Sequence, residues 1–246
     1  MKVFVIIPAA GLGTRMSAPA AGLKNKSKQF FELQGTPILI HTLRKFDECD
    51  RVHEIVVALR SNETAGFQSA INREHFRKPI RVVEGGEHRQ DSVANALRSL
   101  QAAGDDIVLV HDAVRPFVDQ ETISGVIEGV QKYGAAIAGI PAIDTVKQVD
   151  RTADGAVVVA TVPRERMVMA QTPQGFRFAL ISQAFDEALA DGFVGTDEAS
   201  LIERGDGTVH VVMGSPRNIK ITTPADLDVA ELYISQDERR RAGLSG

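Results

Sequence analysis

Val3-Phe4-Val5-Ile6-Ile7-Pro8-Ala9-Ala10-Gly11-Leu12-Gly13-Thr14-Arg15-Met16 is the stretch on which the fold is read. Its first five residues are apolar without alternation, the pattern of a parallel strand buried on both faces. Small residues follow, and with no bulky side chain at Ala9, Ala10, Gly11 and Gly13 the backbone can approach an anion and aim peptide N–H groups at it. Arg15 adds a permanent forked cation. A dinucleotide fingerprint needs a third glycine where Met16 stands. A Gly-x4-Gly-Lys-Ser/Thr loop is absent as well, because no glycine precedes Lys26-Ser27 at the required spacing. The stretch reads as a phosphate-handling loop at the carboxyl end of a first strand, with a tight turn as the bland alternative.

Outward from that loop, strand-like and helix-like runs alternate through most of the 246 residues, which predicts an α/β fold: one Rossmann-like domain with a mostly parallel sheet flanked by helices. Strands are expected at Glu54–Leu59, Ile80–Val83, Ile107–Val110, Ala135–Ile140, Val209–Met213 and Ile219–Ile221. Helices are expected from Pro37 to Phe46, Glu63 to Ile71, Asp119 to Tyr133, Arg177 to Ala190 and Thr196 to Arg204. One more should start at Asp91 or Ser92, and a last should run from Thr223-Pro224 through Tyr233. The rhythm breaks between about 141 and 171, where β-type runs such as Val157–Val162 flank a turn at Ala153-Asp154-Gly155. This predicts a projecting β-arm, a candidate dimer contact. Residues 1–234 then form one domain including the arm, and 235–246 a frayed polar tail.

Composition narrows the class. A hydrophobic share of 43% with 24% charged residues is that of an ordinary globular protein, and a net charge of −4 leaves no basic footprint for nucleic acid. The single cysteine, Cys49, allows no internal disulfide and fits a reducing compartment. Val3–Ile7 is too short to span a membrane, and no leader is expected, which points to a cytoplasmic setting.

Ligands of an open α/β sheet collect at the carboxyl ends of its strands. Gly85-Gly86 permits close backbone approach there, and Ser92 offers a hydroxyl near a helix start, either as a ligand contact or as a plain cap. Asp112 ends an apolar strand and suits a hydrated Mg²⁺ accompanying phosphates, or equally an Asx-turn.

Taken in order, Pro8-Ala9-Ala10-Gly11-x-Gly13-x-Arg15-Met16, Lys28-Gln29-Phe30, Glu84-Gly85-Gly86, Asp91-Ser92-Val93, His111-Asp112-Ala113-x-Arg115-Pro116, Asp144-Thr145-x-Lys147, Gln171-Thr172-Pro173-Gln174, Thr196-Asp197-Glu198-Ala199 and Asn218-Ile219-Lys220 resemble the 2-C-methyl-D-erythritol 4-phosphate cytidylyltransferases over residues 2 to about 234. The resemblance implies cytidylyl transfer from CTP to methylerythritol phosphate with release of pyrophosphate, assisted by Mg²⁺ at Asp112. It implies that Arg15 and Lys28 oppose transition-state charge, and that Arg164 and Lys220 position methylerythritol phosphate. Ala9, Ala10, Gly86, Glu87 and Ser92 match cytosine-reading positions, with Gly11, Gly13, Arg89 and Asp112 also on the CTP side. Asp112, Arg115, Thr145, Thr172 and Thr196 join Arg164 and Lys220 on the substrate side. In the family the arm of one subunit completes the partner's site, so a homodimer is implied.

Two features depart from the family pattern. Ser27 stands where a proline is usual, and the run from Met16 to Lys28 is long, with Lys24 and Lys26 as further cations. The phosphate lysine can therefore be Lys24, Lys26 or Lys28. Rival readings are a ribitol 5-phosphate cytidylyltransferase, a nucleotide-dependent dehydrogenase, which Met16 opposes, and a non-catalytic nucleotide-binding module, which the presence of Arg15 and the loop lysines opposes.

Overall fold

In a computed structural model that describes residues 1–11, 27–241 and 243, seven strands form one sheet in the order β11-β7-β10-β6-β1-β4-β5. The strands are β1 (Val3–Pro8), β4 (Glu54–Leu59), β5 (Ile80–Glu84), β6 (Ile107–Val110), β7 (Ala135–Pro141), β10 (Val168–Arg177) and β11 (His210–Met213). Neighbours pair in parallel except β10, which runs antiparallel to both β6 and β7. The α/β fold class expected from the sequence is thus the one found. A short hairpin, β2 (Glu32–Leu33) with β3 (Thr36–Pro37), and the arm, β8 (Val146–Thr152) with β9 (Gly155–Val162), complete the strands.

β1 explains the layering. Successive side chains of a strand point to opposite faces. Val3, Val5 and Ile7 join Leu39, Leu43 and Phe46 of α1 (Ile38–Asp47) and Ile123, Val126 and Val130 of α4 (Gln120–Tyr133). Phe4 and Ile6 join Val93, Ala96 and Leu97 of α3 (Arg89–Ser99) and Ile181 and Phe185 of α5 (Phe178–Ala190) on the other face. Both faces of the sheet are covered, as a continuous apolar strand requires. A smaller core of Phe31, Leu33, Ile38, Val114, Phe117 and Ile221 packs the β2–β3 hairpin and α7 (Pro224–Arg241) against the loop that follows β6.

Several boundaries differ from the sequence expectation. α3 starts at Arg89 with His88 as its cap; Asp91 sits inside the first turn and accepts the His88 N–H at 2.9 Å, so neither Asp91 nor Ser92 is the cap. Pro37 lies in β3 and caps α1 rather than opening it. β10 begins within the expected β-type segment that ends near Gln171, but its continuation to Arg177 as a central strand differs from the expectation. Ile219–Ile221 forms no strand; Ile221 N–H gives a single bond to the Val114 carbonyl at 2.9 Å. The last helix continues past Tyr233 to Arg241, so most of the expected frayed tail is helical. The remaining helices, α2 (Thr64–Ile71) and α6 (Glu198–Arg204), lie within a few residues of expectation.

Candidate active site

The carboxyl ends of β1, β5 and β6 open on one side of the sheet, as the parallel order demands. The turn after β1 is fixed by Ala9 N–H to the Ala58 carbonyl at 2.8 Å and by Arg60 Nε to the Ala10 carbonyl at 2.7 Å. The turn after β5 is pressed against it: a Cβ at Gly85 would fall 2.4 Å from the Ala10 Cβ. Ser92 Oγ accepts the Gly86 N–H at 3.1 Å and donates to the His88 carbonyl at 3.1 Å, so its hydroxyl shapes the Gly85-Gly86 turn. Ala9, Ala10, Gly86 and Ser92 are therefore brought together, while Glu87 is exposed at the turn and, among the described residues, nothing lies within 4 Å of a Cβ placed at Gly11.

Lys28 opens a 3-10 turn, Lys28–Phe30, that is tied down on both sides of the lysine. Buried Gln29 donates to the Ala9 carbonyl, and Ser27 Oγ donates to Glu63 Oε1. The first bond attaches the end of the long loop to its beginning, and the second attaches it to the turn ahead of α2. Gly13, Arg15, Lys24 and Lys26 lie outside the described residues.

Among the described residues three cations gather around Asp112, which follows β6 and is 7% exposed. Arg89 Nε lies 3.4 Å from its Oδ1; Arg115 Nε and Lys220 Nζ lie 3.3 and 2.9 Å from its Oδ2. Burial alone would raise this carboxyl, but the Arg89, Lys220 and Arg115 cations outweigh burial and hold it well below the usual carboxylate range. Arg115 also donates to the Asn218 carbonyl at 2.6 Å, which holds the stretch before Lys220 against the β6 loop.

β10 supplies the other wall. Its pairing with β7 is interrupted between Ala170 and Gln174, and Thr172 there turns to the β6 loop. Thr172 Oγ1 accepts the Asp112 N–H at 3.0 Å and lies 3.1 Å from His111 Nδ1; His111 Nε2 lies 3.1 Å from the Arg115 carbonyl. A carbonyl can only accept, so the proton belongs on Nε2 and Nδ1 accepts from Thr172. Burial pushes the His111 imidazole down to about 4, which keeps it neutral. Asn218 Nδ2 donates to the Thr172 carbonyl at 2.8 Å.

Arg89, Asp112, Arg115, Thr172 and Lys220 thus form one contact network. Thr145 and Arg164 do not join it. Both are exposed on the arm, where Arg164 Nη1 donates to the Ile143 carbonyl at 2.8 Å, and Thr196 is exposed just ahead of α6. Sequence reasoning missed His111, Asn218, Gln29 and Glu198 as members of the site. All four lie inside motifs quoted above, but only spatial proximity reveals their partners.

Asp112 does not fit the role of magnesium ligand in this arrangement, because both its oxygens face cations. Among the described residues no group of three or more His, Cys, Asp or Glu stands ready to hold a metal ion. Nor is any described helix long and apolar enough to cross a membrane.

The sequence model of the 2-C-methyl-D-erythritol 4-phosphate cytidylyltransferase family matches residues 3–236. Curated proteins of that description from Acidobacterium capsulatum and Solibacter usitatus are 55% and 52% identical to the chain. They cover 98% and 100% of it, and it covers 100% of each of them. Among solved structures, the cytidylyltransferase of Francisella tularensis is similar with a TM-score of 0.77 at 36% identity over 94% of this chain and 99% of its own. The 4-diphosphocytidyl-2C-methyl-D-erythritol synthase of Anaerococcus prevotii gives a TM-score of 0.80 at 31% identity, with 95% and 96% covered.

Proposed function

The chain belongs to the 2-C-methyl-D-erythritol 4-phosphate cytidylyltransferase family, and from that premise we propose which of its residues carry the reaction. The enzyme transfers the cytidylyl group of CTP to methylerythritol 4-phosphate in the non-mevalonate route to isoprenoids. A phosphate oxygen of the polyol bonds to the α-phosphorus, the bond to the bridging oxygen breaks, and pyrophosphate leaves with the electron pair. That nucleophile is ionised near neutral pH, so the site needs cations and positioning rather than a strong base.

Ala9, Ala10, Gly11, Gly13, Gly86, Glu87 and Ser92 receive the base and phosphates of CTP. Contact of Gly85 with Ala10 supports this, since it brings the turns after β1 and β5 side by side with no side chain between them. Arg15 and Lys28 oppose the charge that builds on the α-phosphate and the leaving group. Arg115 and Lys220, anchored on Asp112, hold the phosphate of methylerythritol phosphate beside Thr172. Arg89 belongs to both halves: it opens α3, three residues before Ser92, and reaches Asp112. The observation that carries this reading is the set of three cations on one buried carboxylate at the end of β6. They are preorganised for anions that arrive with the substrates.

Magnesium, which neutralises polyphosphate charge, enters in this reading on CTP itself, because both oxygens of Asp112 already face cations. The arm supplies Thr145 and Arg164 to the site of a second copy, where Thr196 also meets substrate, making a functional homodimer. Support comes from Val157, Val158 and Val159, all exposed on a two-stranded ribbon, a unit that is marginal by itself in water. Residues 1–234 act as one catalytic unit with the arm included, in a cytoplasmic setting that suits a lone free thiol at Cys49.

Pyrophosphate release from CTP and Mg²⁺ with methylerythritol phosphate tests the activity, with ribitol 5-phosphate as the second arm. Turnover only with ribitol 5-phosphate would overturn the substrate, and no pyrophosphate with either would overturn catalysis.

A further inference from the structure

Glu198 is 2% exposed, yet among the described residues its Oε2 has no hydrogen-bond partner. Burying a carboxylate with one oxygen unsatisfied costs stability, and such a cost persists in a fold where the charge has a use. Its position is set by rigid neighbours. Asp197 caps α6 by accepting the Ser200 N–H at 3.0 Å. Gln174 of β10 bridges the same turn, donating to Asp197 Oδ2 at 2.8 Å and accepting the Ala199 N–H at 3.1 Å. Glu198 Oε1 then lies 2.6 Å from Arg89 Nη1, on the side of the guanidinium away from the Asp112 contact made by Nε.

The result is a row of alternating charge, Glu198–Arg89–Asp112–Lys220, with Arg115 also on Asp112. We propose that Glu198 is a positioning residue: its negative charge shares Arg89 with Asp112 and keeps Arg89 on Oδ1, so that Oδ2 remains the anchor of Lys220 for methylerythritol phosphate. This rests on the assignment of Lys220 above. Asp112 has two oxygens and three cations around it. With Glu198 neutral, Arg89 has Asp112 as its remaining carboxylate partner in the ion pairs around it, and the Lys220 contact is redistributed. Coupling of this size within one ion-pair network falls in the range of several-fold to a hundredfold.

Glu198→Gln keeps volume and a hydrogen-bond acceptor while removing the charge. The expected result is a rise in KM for methylerythritol phosphate on the order of tenfold. KM for CTP should change by less than about twofold, and thermal stability should be maintained. Glu198→Asp, with the charge kept and one methylene lost, should recover part of the effect. Unchanged kinetics in Glu198→Gln beside a crippled Lys220→Ala would overturn the inference alone. An inert Lys220→Ala would overturn both the inference and the substrate assignment. Equal loss for both substrates, or equal impairment in the Gln and Asp variants, would reduce Glu198 to a packing role and overturn the proposal. If the Gln variant does not fold, the Asp variant, whose shorter side chain lengthens the Arg89 contact, should show a smaller rise in KM for methylerythritol phosphate at unchanged KM for CTP, and parent-like kinetics in it would overturn the proposal.

Discussion

Lys220 Nζ stands 2.9 Å from Asp112 Oδ2, so a cation one-third exposed to solvent is held by a carboxylate that is itself buried. Removing the buried partner of such a pair costs more than the pair is worth, because the remaining charges are left uncompensated. Asp112→Asn leaves Arg89, Arg115 and Lys220 facing one another. Urea unfolding should show a loss on the order of 3 kcal/mol, and steady-state kinetics should show a higher KM for methylerythritol phosphate. A variant as stable as the parent would contradict the account.

His111 gives the protein a defined acid sensitivity. The folded chain keeps its imidazole neutral down to about pH 4, whereas the ordinary value is 6.5. Below 6.5 the unfolded chain takes up the proton first, so stability is complete above that pH and is lost as pH falls from 6.5 to about 4. The gap between those two values corresponds to roughly 3 kcal/mol at most. Asp112, with its carboxyl held low, adds a further loss only below its ordinary value of 3.8. Unfolding free energies at pH 7 and pH 5 should therefore differ, and His111→Gln should flatten that difference. An unaltered slope in the variant would assign the effect elsewhere.

At Gly85 the close approach of two turns is testable by one methyl group. An alanine Cβ would meet the Ala10 Cβ at 2.4 Å and the Ser92 Oγ at 3.1 Å, so one of the turns must move. Gly85→Ala should raise KM for CTP tenfold or more, the order of effect expected when a positioning element shifts by about an ångström. KM for methylerythritol phosphate should change less, because Lys220 and Arg115 hang on β6 and not on β5. Isothermal titration with CTP alone gives the check.

What the sequence made legible and what it did not follow from the same physics. β1 could be read because both its faces are apolar, and α4 because its inner residues repeat at helical spacing behind the Asp119 cap. β10 could not. Gln171, Thr172 and Gln174 are buried in it but polar, and Pro173 and Gly175 interrupt it, so its strand state comes from the pairing offered by β6 and β7. Ile219–Ile221 misleads the other way: alternation suggests a strand, but only one backbone bond to Val114 forms. The end of α7 lacks an apolar stripe and reads as a tail, yet Arg217 Nη2 on Asp237 at 2.8 Å fastens it. Motif order located Asp112 and Lys220. The charge logic that joins them to Arg89 and Glu198 required spatial contacts, of which Arg89–Glu198 spans 109 positions of chain.

The arm offers a test of assembly that is separate from chemistry. Val158 is exposed in the middle of β9, where a partner surface would cover it. A charge placed there must be desolvated on association, so Val158→Glu should shift the protein toward monomer in light scattering after size exclusion. Activity should fall with it if Thr145 and Arg164 serve the other subunit. Full activity in a monomeric variant would refute that service.

The long loop is settled by comparing Lys24→Ala, Lys26→Ala and Lys28→Ala. Loop closure entropy grows slowly with length, so the extra residues do not themselves prevent an early lysine from reaching the phosphates. Lys28, however, is flanked by two anchors, Ser27 on Glu63 and Gln29 on the Ala9 carbonyl. A preorganised cation stabilises developing charge without reorganising when the reaction occurs. Lys28→Ala should therefore lower kcat by about a hundredfold or more, in the range seen when one electrostatic group is removed. Lys24→Ala and Lys26→Ala should act mainly on KM for CTP. Ser27→Ala, which releases one anchor and keeps the lysine, should fall between them. A loss of kcat confined to Lys24→Ala or Lys26→Ala would move the transition-state role up the loop and leave the Ser27–Glu63 contact as a structural tie.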